Sequence, residues 1–127
     1  MSKAVKSTSK RNDGEDALFS NKAPVVRAIY KKLLASLKRQ AVTFEVDAKK
    51  TSLHLTHGTA FAGVHPKKNW LDLTIRLEKP LAGPRIRKSE QVSRNRWHNE
   101  VRLTSEADVD GQLIGWLVTA RALSRVT

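Results

Sequence analysis

The sharpest pattern in the chain is a strict alternation across residues 70–77. Leu71, Leu73, Ile75 and Leu77 are apolar, and Trp70, Asp72, Thr74 and Arg76 stand between them. A period of two predicts a strand with one buried face and one accessible face. The same period extends to both sides. Val42, Phe44 and Val46 alternate with Thr43 and Glu45, and Leu53 and Leu55 with His54 and Thr56. His57-Gly58 predicts a turn, Thr59 to His65 a short strand, and His65 to Asn69 a second turn. After the loop Lys79–Pro84, the segments Ile86–Val92 and Trp97–Leu103 read as the last two strands, joined by Ser93-Arg94-Asn95-Arg96. Connections this short favour antiparallel hairpins.

Helical spacing brackets these strands. From Ala23 to Gln40, the residues Val25, Val26, Ile29, Tyr30, Leu33, Leu34 and Leu37 fall on one side, while Arg27, Lys31, Lys32, Lys38 and Arg39 fall on the other. Pro24 suits the first turn, and Ser20 or Asn21 is placed to cap it. Ser105 to Ser124 reads as a second helix, with Ser105 and Asp108 as a capping box. Gly111 and Gly115 sit away from its apolar stripe and are expected on the surface. The order is helix, about five strands, helix. The expected class is α+β: two layers, with both helices on one face of a mainly antiparallel sheet. Residues 1–20 are polar and aperiodic, so a tail disordered through about Ala17 is expected there, with Leu18 and Phe19 as its anchor, followed by a single domain over 21–127.

Composition narrows the function classes. The 127 residues contain no cysteine, which excludes disulfides, thiolate metal sites and cysteine nucleophiles. No apolar run is long enough to span a bilayer, and Met1–Arg11 lacks the apolar stretch of a secretory signal, so a cytoplasmic location and no membrane partner are expected. Twenty-four Lys and Arg against 12 Asp and Glu leave a net charge of +12. A field of that sign attracts polyanions, with nucleic acid the usual one.

Three stretches carry a resemblance. They are Phe61-Ala62-Gly63-Val64-His65-Pro66-Lys67-Lys68, Trp70–Leu77, and Trp97-His98-Asn99-Glu100-Val101-Arg102-Leu103-Thr104-Ser105. Together they resemble a bacterial family of small domains of unknown function. Such domains stand alone or at the C-terminal end of larger proteins, including nuclease-like chains and chains assigned to transport. The resemblance covers about residues 22–124. It implies an α+β accessory domain and transfers no activity.

Catalytic signatures are scarce. His54 and His57 form H-x-x-H, but residues three apart on a strand point to opposite faces, and the H-E-x-x-H pattern is missing. No G-x-S-x-G elbow and no phosphate loop occurs, so no catalytic residue, metal or cofactor is expected. His98 and Glu100 share a strand face, as an acid–base pair would, although cross-strand polar pairs are ordinary in sheets. The more informative feature is the face opposite the helices. Trp70, Arg76, His98 and Arg102 are expected there, with Lys67 and Lys68 at one rim and Arg85, Arg87, Lys88, Arg94 and Arg96 at another. A ring to stack on and a basic rim suit single-stranded nucleic acid or an acidic protein segment. The alternatives are a homodimer interface centred on Trp70, and a small-molecule or weakly hydrolytic site near His54, Asp72, His98 and Glu100.

Overall fold

The computed structural model describes residues 14–124. Six strands form one antiparallel sheet: β1 (Glu45–Ala48), β2 (Leu53–His57), β3 (Thr59–Pro66), β4 (Leu71–Leu77), β5 (Ile86–Ser93) and β6 (Arg96–Leu103). The α+β class and the helix–sheet–helix order are as expected, with six strands against about five. A short helix, α1, covers residues 14–19, followed by α2 (Pro24–Arg39) and α3 (Gly111–Ser124).

The core follows from the alternation. Leu71, Leu73 and Ile75 are wholly buried, and so are Leu53, Leu55, Val64 and Leu103 on the neighbouring strands. They meet Val26, Ile29, Leu33 and Leu37 of α2 and Leu113, Leu117 and Ala120 of α3. Each helix thus places its apolar stripe on the same sheet face. Gly111 and Gly115 lie outside, where an added Cβ would meet nothing.

Three local expectations need correction. Residues 14–17, read as the end of a disordered tail, are helical together with the Leu18–Phe19 anchor; residues 1–13 lie outside the described residues. Phe19 is the reason: it is buried, with its ring 5.0 Å from that of Tyr30. The Tyr30 hydroxyl donates to Glu15 at 2.8 Å, and Arg27 pairs with Asp16 at 3.3 Å. The N-cap of α2 is Ala23 rather than Ser20 or Asn21, and no side chain caps it. Instead the Ala23 N–H donates to the Lys68 carbonyl at 2.8 Å, tying the helix start to the β3–β4 turn. The segment from Ser105 is not one helix. The capping box of Ser105 and Asp108 closes a single 3₁₀ turn, Glu106–Asp108, and the chain restarts as α3 with Asp110 accepting from the Leu113 N–H at 3.0 Å.

The strand order is β1-β2-β3-β4-β6-β5. The chain leaving β4 does not take the adjacent position. It crosses in residues 78–85, forms the outer strand β5, and returns as β6 between β5 and β4. Asn99 secures this crossing. It is completely buried on the helix face, opposite Ile75. Its Oδ1 accepts from the Leu81 N–H at 2.8 Å and from the Ser89 hydroxyl at 2.6 Å. Its Nδ2 donates to the carbonyls of Lys79 at 3.4 Å and Ile75 at 3.5 Å. One amide therefore joins β4, β5, β6 and the crossing loop.

β5 is an edge strand, and two bulges break its register, between Ile86 and Lys88 and between Gln91 and Ser93. Bulges and charged side chains discourage another chain from adding to an edge. They also set Arg87 and Val92 as extra residues. Val92 is 47% exposed, the largest exposure of a big apolar side chain among the described residues.

Replacing Asn99 by Leu keeps the volume but strands the Leu81 N–H and the Ser89 hydroxyl. Unsatisfied buried groups cost about 1–3 kcal/mol each. Urea unfolding of Asn99→Leu is expected to show a loss of about 2–4 kcal/mol, with the dispersion of the 78–91 amide signals reduced first. An unchanged midpoint would mean that the crossing loop does not depend on this amide.

Candidate functional site

Cross-strand register builds the face opposite the helices. Between β4 and β6 the outward pairs are Asp72 with Arg102, Thr74 with Glu100 and Arg76 with His98. On one side His65 stands opposite Asp72, and Gly63 opposite Thr74. Beyond them His54 faces Gly63 and Asp47 faces His54. On the other side Lys88 is opposite Glu100 and Glu90 opposite His98. The face thus interleaves acids and bases, and its two ends differ in how the bases are compensated.

At one end Trp70, Asp72 and Arg102 close on one another, while Lys67 and Lys68 beside them have no carboxylate within 4.0 Å among the described residues. Arg102 Nε donates to Asp72 Oδ1 at 3.0 Å, and its guanidinium lies 4.2 Å from the Trp70 ring centroid. Trp70 Nε1 donates to the same carboxylate at 3.3 Å. Asp72 is buried beneath them. One face of Trp70 is therefore covered by Arg102, and the ring is half-buried rather than an open platform. Lys67 and Lys68 are exposed in the turn beside this cluster.

At the other end the bases outnumber their partners. Arg87 lies 3.6 Å from Glu100, and Lys88 lies 3.9 Å from Glu90. Arg85 leaves the face altogether and pairs with Asp110 at 2.9 Å. Among the described residues no carboxylate comes within 4.0 Å of Arg76, Arg94 or Arg96. Arg94 and Arg96 are exposed at the β5–β6 turn. Arg76 is half-buried, and its guanidinium donates to the Ala60 carbonyl at 3.1 Å. Burial first, and the charge of Arg96 second, lower the Arg76 pKa from its ordinary value. A cleft of about 210 Å³ opens beside these two arginines, lined also by Phe61, Leu77, Asn95 and, from α3, Ala120 and Leu123.

The residues expected to bind thus separate. Arg76, Arg94, Arg96 and His98 gather at the hairpin end, Arg87 and Lys88 run along its edge, and Trp70 and Arg102 form the opposite cluster with Lys67 and Lys68 nearby. One residue of the outer face was missed: His65, read as the last residue of a strand and the first of a turn, lies within β3 opposite Asp72. Gly63 leaves it room, since a Cβ there would lie 3.2 Å from His65 Nε2. The α3 contribution to the cleft depends on tertiary packing and leaves no local signal.

The face also carries the titratable groups that an acid–base site would use. His54, His65 and His98 all have pKa values below the ordinary 6.5, and burial is the main cause in each. Further lowering comes next from Lys49 at His54, Lys67 at His65 and Arg76 at His98. The carboxylates beside them are committed to cations: Asp47, opposite His54, to Lys49; Glu90, opposite His98, to Lys88; Asp72 to Arg102; and Glu100 to Arg87. Among the described residues no group of three His, Asp or Glu side chains is arranged to hold a metal.

Comparison with known proteins adds one finding. A family model described as a domain of unknown function (DUF5655) matches residues 15–124. The match begins within α1, so it includes the helix that the sequence reading left in the tail. No curated protein and no solved structure matches the chain.

Neutral histidines make stability depend on pH in a definite direction. Each has a folded-state pKa below its unfolded value near 6.5, so below that value the unfolded chain binds more protons than the native one. This contribution is present above pH 6.5 and is lost as pH falls through the depressed values. Urea midpoints are expected to decline between pH 6.5 and about pH 5, before carboxylates titrate. The combined His54→Gln, His65→Gln and His98→Gln variant should flatten that decline. An equally steep decline in the variant would place its origin elsewhere.

Proposed function

The chain belongs to the DUF5655 family of domains of unknown function, and from that premise we propose that it is a binding module for nucleic acid. The interface is the β5–β6 hairpin end of the sheet. Arg76, Arg94 and Arg96 engage phosphates there, and Arg87 and Lys88 extend the track along the edge strand. His98 lies between Arg76 and Glu90 and contributes a neutral hydrogen-bonding ring to the same corner.

One observation supports this reading: among the described residues these three arginines have no carboxylate within 4.0 Å and lie at one end of the sheet, while Arg85, Arg87 and Arg102 each pair with one; Arg39 and Arg121, also without a carboxylate, stand on the helices. Uncompensated guanidiniums raise the local potential, and their planar forks suit phosphate oxygens. Three further points agree. The net charge of +12 supplies long-range attraction. The resemblance to domains joined to nuclease-like chains agrees with a nucleic-acid partner. Nucleic acid is also an abundant polyanion of the cytoplasm, the location expected from the sequence.

The competing readings have less support. Arg102 covers a face of Trp70, which weakens both base stacking and a dimer interface centred on that ring. The commitment of Asp72 and Glu100 to arginines weakens an acid–base role with the histidines. Lys67, Lys68, Trp70 and Arg102 accordingly stay outside the proposed contact surface.

The test is a salt titration with single- and double-stranded DNA and RNA. Each phosphate contact contributes about 0.7 (single strand) to 0.9 (duplex) to the slope of log K against log salt. Arg94→Gln with Arg96→Gln should lower that slope by about 1.4–1.8 and weaken every sequence alike. Reversing Arg87, Lys88, Arg94 and Arg96 to Glu together should abolish binding. Affinity that ignores salt, or survives the reversal, would remove this surface from consideration.

A further inference from the structure

The cleft beside Arg76 and Arg96 has a chemistry more specific than a basic rim. Arg76 is opposite His98 in the β4–β6 ladder, and Arg96 precedes His98 by two residues on the same side of β6. The two guanidiniums are therefore diagonal neighbours across the ladder, a spacing long side chains readily close. They repel each other, and partial burial of Arg76 makes that repulsion harder for water to screen. Two like charges side by side, with no carboxylate within 4.0 Å of either among the described residues, form a ready receptor for one doubly charged anion.

The surroundings narrow the choice of anion. Behind the arginines the walls are apolar: Phe61 and Leu77 from the sheet, Ala120 and Leu123 from α3. Asn95, at the turn between β5 and β6, adds an amide to the rim. A volume of about 210 Å³ lies below the ~300–1,000 Å³ of sites that enclose drug-sized ligands. A chain end fits such a space better than a strand that must enter and leave. An internal phosphodiester carries one negative charge, and a terminal monoester carries close to two. Glu78 also lines the cleft but lies within 4.0 Å of neither arginine. Its carboxylate opposes anions that do not bring enough charge to outweigh it.

We propose that this cleft seats a phosphate monoester, held by Arg76 and Arg96, as the terminal phosphate of a nucleic-acid strand whose backbone runs along the basic hairpin. The inference rests on the nucleic-acid reading above for the strand, but not for the phosphate. Arg76 and Arg96 grip the end group, and Arg94, Arg87 and Lys88 follow the diesters. The module then distinguishes phosphorylated ends from hydroxyl ends, and it does so without reading bases.

The experiment compares short single strands of one sequence that carry a 5′-phosphate, a 3′-phosphate or neither, by fluorescence anisotropy on the full chain. A phosphorylated end should bind about tenfold tighter than the hydroxyl-ended strand, as removal of a charge-assisted contact implies. Arg96→Gln should erase that difference while leaving hydroxyl-ended binding reduced only modestly. Arg96 is exposed, so this variant tests the contact without threatening the core. Arg76→Lys, which keeps a charge and a donor for the Ala60 carbonyl, should weaken the preference. Glu78→Gln should strengthen binding of phosphorylated strands. A second arm titrates phenyl phosphate and adenosine monophosphate against the Arg76 and Arg96 side-chain Nε–H signals. If strands bind but end phosphorylation makes no difference, the pocket is overturned and the nucleic-acid reading stands. If strands fail to bind while phenyl phosphate moves those signals, the pocket stands for free monoesters and the strand reading falls. If neither occurs, both are overturned.

Discussion

The pairing of β6 with β4 organises the molecule. Ile75 stands opposite Asn99 in that ladder, and the buried Asn99 amide then holds the loop that carries the chain past β6 to the outer position. Were β5 to pair with β4 directly, as consecutive strands commonly do, Arg76 would face residues of the bulged edge strand. The observed order instead sets Arg76 across from His98 and diagonal to Arg96, against the end of α3. A polar side chain in the core thus decides which cations meet on the opposite face. Burying such a group is favourable only when its hydrogen bonds are all made, and Asn99 makes four.

The second organising feature is uneven charge compensation. Asp72, Arg102 and Trp70 form a cluster in which a buried carboxylate, a guanidinium and an indole satisfy one another. That arrangement consumes the binding capacity of the groups within it and stiffens one end of the sheet. At the hairpin end Arg76, Arg94 and Arg96 have no carboxylate within 4.0 Å among the described residues, and Arg76 and Arg96 share one cleft. Net charge alone attracts polyanions from any direction. Uneven pairing gives the attraction a place, and the adjoining cleft gives it a shape.

Much of the fold could be read from spacing. The alternation at Leu71, Leu73, Ile75 and Leu77 identified the central strand and both of its faces, because a period of two has no other stable use next to amphipathic helices. The outward set Asp72, Arg76, His98, Glu100 and Arg102 followed from the same parity. What spacing could not reach was non-local. Nothing near Asn99 in the chain says that it will accept from Leu81 and Ser89. Composition points to disorder through about Ala17 with Leu18 and Phe19 as an anchor; the anchoring ring, Phe19 against Tyr30, is there, and it orders the polar residues before it as well. The intended roles of Trp70 and Arg102 were mutually exclusive in a way that only geometry reveals: both were counted as available, and they cover each other. Ser105 and Asp108 signalled a helix start correctly, yet a cap describes one turn and not the length that follows.

Amide chemical-shift mapping of the full chain with a single-stranded oligonucleotide, at low and at physiological salt, reads the location of binding directly. Perturbations confined to residues 87–98 and the Arg76 region, fading as salt is raised, are the predicted result. Perturbations centred on residues 65–72, or none at any salt, would contradict the account.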